Sequence, residues 1–193
     1  MSPRQRADAR RNYARILAVA EEEVAVHGAA ASLEQIARVA GVGSATVRRH
    51  FPTRRALLDA VAKERIEALC ARAEVLAGEH DSRTALLDWL GEVIASSTRS
   101  RGLAAALAYE GAPPEDVYEN SCATALEAAG TPLLRRAAED GAVAGDVTFT
   151  DLVALMVGIV LATEQHADPA AAAERLFRLT VTGLSPRDQS AIL

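Results

Sequence analysis

Apolar residues recur at spacings of three and four along most of this chain, the signature of helices that bury one face. The first stripe runs through Tyr13, Ile16, Leu17, Ala20, Val24 and Ala25 and stops at His27 and Gly28, where glycine can adopt a left-handed helix end. This spacing predicts a helix from Arg10, with the polar, charged residues 1–9 expected to be mobile. Ser32 and Gln35 form a capping-box pattern, in which each side chain serves the other's backbone amide. They open a short helix with Leu33, Ile36, Ala37 and Ala40 on one face, broken by Gly41. A second short helix is predicted from Ser44 to Phe51 and is closed by Pro52. A long helix then starts at Pro52 or Thr53 and passes through Leu57, Leu58, Val61, Ile66, Leu69 and Leu76 to end near Gly78. Further helices are predicted over residues 82–99, 101–110, 114–129, 132–141, 149–166 and 169–184. Pro132 and Pro169 stand at first helical positions behind the capping residues Thr131 and Asp168. No segment alternates at the period of a strand and no repeat of solenoid length occurs. The expected fold is all-α, with about nine helices.

Composition supports this. Half of the 193 residues are hydrophobic but only 4% are aromatic, so the core must be aliphatic, and the abundance of Ala and Leu favours close helix packing. A net charge of −5 argues against a nucleic-acid partner until its distribution is considered. Residues 1–55 carry ten arginines against five acids, whereas residues 56–193 carry eleven basic residues against twenty-one acids. A basic module is thus joined to an acidic body, and contact with a polyanion is confined to the N-terminal quarter. Two distant cysteines, Cys70 and Cys122, make no disulfide framework. The basic N-terminus is followed by no signal-peptide core, and the most apolar run, Leu152 to Ala162, is shorter than the roughly 20 residues that span a bilayer. The expectation is a soluble, cytoplasmic protein without a membrane partner.

The two short helices joined at Gly41, Val42 and Gly43 have the layout of a helix-turn-helix. Ile36, Ala37, Val47 and Phe51 are predicted to face the first helix, which leaves Ser44, Ala45, Thr46, Arg48, Arg49 and His50 on or near the outer face of the second. Small residues let a helix N-terminus approach base edges, and arginine can bond guanine or grip phosphate. A helical hairpin of this kind can also be simple packing with a solvated arginine pair. The coincidence of cap, turn, basic face and basic N-terminal arm favours the DNA-binding reading.

The stretch from Arg11 through Leu58, with His27, Gly28, Ser32, Ile36, Ala37, Gly41, Val42, Gly43, Thr46, His50, Phe51 and Pro52 at their spacings, resembles the DNA-binding domain of TetR-type repressors. The likeness covers residues 10–62. Arg101 to Leu107 and Thr131 to Ala137 more weakly resemble the C-terminal portion of the SbtR-like subgroup. The resemblance implies a helix-turn-helix domain over 1–52 and a helical domain for ligand binding and dimerisation over 53–193, with 53–77 as the linking helix. It also implies that Ser32 caps the second helix against a phosphate and that Ser44, Ala45 and Thr46 meet bases and backbone. His50 corresponds to a phosphate-contacting histidine, or is a half-buried structural one, and Arg54 to the basic residue opening the fourth helix. Arg48 stands where many members carry tyrosine, so both phosphate gripping and guanine reading are open to it. The partners implied are double-stranded operator DNA, a small-molecule effector and a second copy of the chain, with no cofactor.

For the effector, the bundle interior over 82–166 is the candidate, with Trp89, Tyr109, Tyr118, Cys122 and Met156 its least generic residues. Trp89 as mere core filling is the competing reading. The last two helices are the candidate dimer surface, through Leu152, Leu155, Ile159, Thr163, Phe177, Val181 and Leu184, with internal burial as the alternative. Enzyme chemistry finds no foothold: His27, His50, His80 and His166 are scattered, and no nucleophile elbow, phosphate loop or dinucleotide fingerprint occurs. The expectation is a ligand-responsive, dimeric, non-enzymatic repressor. A thiol or protein-interaction input is the alternative, weakened by the apolar surroundings of both cysteines.

Overall fold

A computed structural model describes residues 3–27, 31–99 and 118–183. Among them are eight helices and no strand: α1 (Pro3–His27), α2 (Leu33–Val39), α3 (Ser44–His50), α4 (Arg54–Glu79), α5 (Ser82–Arg99), α6 (Tyr118–Glu139), α7 (Phe149–Thr163) and α8 (Pro169–Gly183). They build two compact units that divide between Arg65 and Ile66, within α4.

The first unit buries Ile16, Leu17, Ala20 and Val24 of α1 against Ile36 and Ala37 of α2, Val47 of α3, Phe51, and Leu57, Leu58 and Val61 of α4. The expected stripes meet here, except that Tyr13 (39% exposed) and Ala25 of the first one stand outside the core. The second unit collects Leu69, Ala73 and Leu76 of α4, most of one face of α5, Leu133, Leu134 and Ala137 of α6, Leu152, Met156 and Ile159 of α7, and Ala173 and Phe177 of α8. Trp89 lies fully buried in this second core. Arg136 donates to the carbonyls of Ala77 (2.6 Å) and His80 (3.2 Å), satisfying acceptors that the end of α4 leaves without helical partners.

The structure departs from the sequence expectations in four places. α1 begins at Pro3 rather than Arg10. Proline suits a first helical turn because its missing N–H would have no partner there, and Arg11 pairs with Asp8, and Arg15 with Asn12, along the helix. Over the described residues, the predicted helices 114–129 and 132–141 are one helix, Tyr118–Glu139, with Pro132 in its interior. An interior proline costs about 3 kcal/mol. That cost is offset by the helix continuing through buried Leu133 and Leu134, each worth about 1.5–3 kcal/mol, and Pro132 itself stands exposed where water can reach the freed carbonyl. Gly130 belongs to the same fit, since a Cβ there would stand 2.3 Å from Phe149 and 2.5 Å from Trp89. The capping box at α2 is half formed: Ser32 Oγ accepts from the Gln35 amide at 3.1 Å, but Gln35 turns its side-chain oxygen to Arg38 at 2.7 Å. A complete box stands instead at α7, where Thr148 and Asp151 serve each other's amides. Lastly, α7 ends at Thr163 rather than 166. The helix expected over 101–110 lies outside the described residues.

Candidate functional site

The turn between α2 and α3 is set by backbone chemistry. Gly41 has φ +63°, and the amides of Gly41 and Val42 bond the carbonyls of Arg38 (3.2 Å) and Ala37 (3.0 Å), the paired pattern of a Schellman helix end. The chain is thereby turned so that α3 starts directly behind Gly43, whose carbonyl accepts from Thr46 at 2.8 Å and Val47 at 3.2 Å. Val47 then enters the core fully buried, and Phe51 follows it one turn later. With a helix turning 100° per residue, Ala45 and Arg49 point away from that core and Arg48 lies on one flank. Ser44, Ala45, Arg48 and Arg49 are exposed, while Thr46 and His50 are half-buried on the other flank.

The individual side chains divide by what they touch. Arg48 reaches back to α2, its Nη2 donating to Glu34 Oε1 at 2.6 Å, and both side chains remain well exposed. The Glu34 carboxyl is held below its ordinary range by a hydrogen bond from its own backbone amide and then by Arg48. His50 lies beside a pair of aromatic rings, 6.0 Å from Tyr13 and 6.3 Å from Phe51, which are themselves 5.0 Å apart, and its buried Nε2 has no hydrogen-bond partner among the described residues. Arg54 donates Nε–H to the carbonyl of Ala31 at 2.8 Å, fixing the first turn of α4 to the residue before the α2 cap. Ser32, half-buried, is committed to that cap. Glu34 and Tyr13 were not among the sequence candidates. An acid in a basic module was the signal for the first; nothing in the pattern marked the second beyond its place in the α1 stripe.

A cavity of about 420 Å³ opens in the second unit among Trp89 and Val93 of α5, Leu126 of α6, and Phe149, Met156 and Val160 of α7. Ser97, Glu127 and Thr150 are its polar lining residues. Trp89 and Met156 of the predicted set are therefore brought together. Trp89 is also core, donating Nε1–H to the Leu69 carbonyl at 2.9 Å. Tyr109 lies outside the described residues, as do the side chains of Tyr118 and Cys122. Phe149 was missed because it stands at a helix start, ahead of the apolar run. Cys70 is half-buried, its Sγ 3.5 Å from the carbonyl of Ala125; burial, then Glu67 and Glu74, push its thiol pKa up.

The predicted dimer residues are mostly turned inward. Leu152, Ile159, Thr163 and Phe177 are buried within their own chain, Leu155 and Val181 are half-buried, and Leu184 lies outside the described residues. The periodicity of α7 makes the reason plain: it is apolar on both sides, and the side facing α5 and α8 takes Leu152, Met156, Ile159 and Thr163. Val157 (50% exposed) and Leu161 (63%) line the cavity beside Trp89, whereas Leu179 (58%) of α8 is exposed at the groove between α7 and α8. A shallow groove between α7 and α8 is lined by Leu155, Gly158, Leu176, Leu179 and Thr180 among others. Among the described residues no helix is long and apolar enough to cross a membrane.

Comparison with known proteins agrees with this architecture. The family model for bacterial regulatory proteins of the tetR family matches residues 16–61, and that for the C-terminal domain of SbtR-like transcriptional regulators matches residues 81–186. A TetR transcriptional regulator of known structure from Streptomyces coelicolor is 35% identical, with 90% of this chain and 98% of that one covered and a TM-score of 0.76. A TetR regulatory protein from Mycobacterium vanbaalenii is 34% identical, covering 94% and 99%, also at TM-score 0.76. The fatty acid degradation regulator FadR from Bacillus halodurans shares the fold at 18% identity, covering 89% and 99%, with a TM-score of 0.60. Comparison with curated proteins gives no match.

Proposed function

This chain belongs to the TetR family of bacterial transcriptional regulators, and on that premise we propose that it acts as a homodimeric repressor whose hold on a palindromic operator is released by a small molecule. The observation that carries the reading is the exposed face of α3, where Ser44 and Ala45, with half-buried Thr46 at the edge, precede Arg48 and Arg49 behind a turn fixed at Gly41. Small side chains at a helix N-terminus allow close approach to base edges, and two arginines supply base and phosphate bonds. Ser32, His50 and Arg54 flank this face as phosphate contacts. The Nε2 of His50 is buried without a partner, so a phosphate oxygen would meet it once the half-buried ring turns outward, and would there satisfy it.

The dimer reading is supported by the α7–α8 groove and the exposed Leu179 beside it, apolar surface that a monomer would leave in water. The small residues Ala154, Gly158 and Ala162 beside the α7–α8 groove would let a partner helix approach closely. A two-fold pair of α3 helices must stand ~34–36 Å apart to enter successive major grooves. The apolar cavity beside Trp89 is the effector site. A ligand there presses on a ring bonded to α4, the described helix that supplies residues to both cores. A coupling of ~1–3 kcal/mol between the sites changes operator affinity about 5- to 150-fold. An input through Cys70 has less support, since its raised pKa disfavours the reactive thiolate.

Selection of bound duplexes from a random pool tests the reading. It should return a two-fold symmetric site, and placing that site over a promoter should silence a reporter. Recovery of no common sequence would overturn it.

A further inference from the structure

We propose that Glu34 is a specificity-determining residue of the reading head: it holds the Arg48 guanidinium in one orientation and cancels its charge against sequence-independent capture by phosphate. The inference rests on the DNA-binding reading above. Glu34 is the sole acid between Glu23 and Asp59, so it is the one negative side chain in the segment that would face DNA. It reaches across from the first turn of α2 to the last turn of α3, and the 2.6 Å bond to Arg48 Nη2 joins residues fourteen apart. Stability alone gives little reason for this pair, because both side chains are 62% exposed and exposed ion pairs contribute little. Against a polyanion, a lone carboxylate there would be repelled.

The pairing has a consequence for discrimination. Arginine offers five N–H donors in a rigid fork, so one bond to Glu34 leaves the others free and aimed. Sequence-independent binding grows with each protein cation that neutralises a phosphate and so releases a counterion, and a paired Arg48 adds almost no net charge to that count. Arg49, exposed and without a partner among the described residues, is left as the sequence-independent grip. Arg48 thus contributes through direction and Arg49 through charge.

The test uses the full-length protein, the duplex that wild type selects from a random pool, and a scrambled duplex of equal composition. Glu34→Gln is compared with Glu22→Gln, which removes the same charge from exposed α1. Glu34→Gln should bind the scrambled duplex several-fold more tightly, with a steeper salt dependence, and lower the selected-to-scrambled affinity ratio at least about five-fold; Glu22→Gln should leave the ratio near wild type. In an Arg48→Ala background, Glu34→Gln should leave the ratio unchanged. A ratio that moves no more in Glu34→Gln than in Glu22→Gln overturns the proposal, and so does an equal fall with Arg48 absent. If Arg49→Ala weakens binding while Glu34→Gln leaves the ratio intact, this inference alone falls. If Arg48→Ala and Arg49→Ala both bind like wild type, the DNA-binding reading of α3 falls with it.

Discussion

Trp89 donates its indole N–H to the carbonyl oxygen of Leu69 at 2.9 Å, so a ring that lines the cavity is bonded directly to α4. Trp89→Phe keeps an aromatic plug but loses this bond and part of the ring volume. Its expected cost is about 1–3 kcal/mol, from one buried hydrogen bond and a small residual void. Denaturant unfolding reads the change, and an unaltered midpoint would show that the bond carries no load in the core.

Gly130 makes the complementary case of a site already full. A methyl group there would meet Phe149 at 2.3 Å and Trp89 at 2.5 Å, closer than carbon atoms approach. Gly130→Ala is expected to destabilise by about 1–3 kcal/mol through overpacking, despite the better helix propensity of alanine. Displacement of the ring should also alter the fluorescence of Trp89, the sole tryptophan. A variant more stable than wild type would contradict the crowding.

The dimer assignment predicts a contrast along α7. Ala162→Glu and Leu179→Glu change exposed positions that line the α7–α8 groove, so these variants should fold and sediment as monomers. Ile159→Glu places a charge in the chain's own core and should unfold it. Sedimentation velocity with far-UV circular dichroism separates the two outcomes. A folded, dimeric Ala162→Glu/Leu179→Glu double variant would exclude this face.

The helix-turn-helix was legible in the sequence because local chemistry sets it: Ser32 caps, Gly41 turns, and Val47 and Phe51 alone of the α3 stretch need a core. Where a residue's role depends on distant partners, the pattern fell short. Pro132 reads as a helix start, but burial of Leu133 and Leu134 carries α6 through it. Ile159 and Leu161 are equally apolar, and only packing on α5 and α8 turns one inward and leaves the other outside. Arg48 carried no sign of its tie to Glu34, fourteen residues away.

The cap at α7 makes stability depend on acid pH. Asp151 accepts from the hydroxyl and the amide of Thr148, and these bonds hold its pKa below the ordinary 3.8. Its stabilisation is fully present above that unfolded value and is lost as pH falls through the lowered folded one. Asp151→Asn should therefore show a shallower loss of thermal stability than wild type below about pH 4. Parallel melting curves for the two proteins through that range would remove Asp151 from the acid response.

The central claim is that the α3 face reads DNA, and a salt series of equilibrium binding to the selected duplex tests it most directly. Arg48→Ala/Arg49→Ala is expected to lose at least about ten-fold in affinity, with a log–log salt slope flatter by about one unit or more, as lost phosphate contacts release fewer counterions. Wild-type affinity and an unchanged slope in this folded double variant would contradict the account.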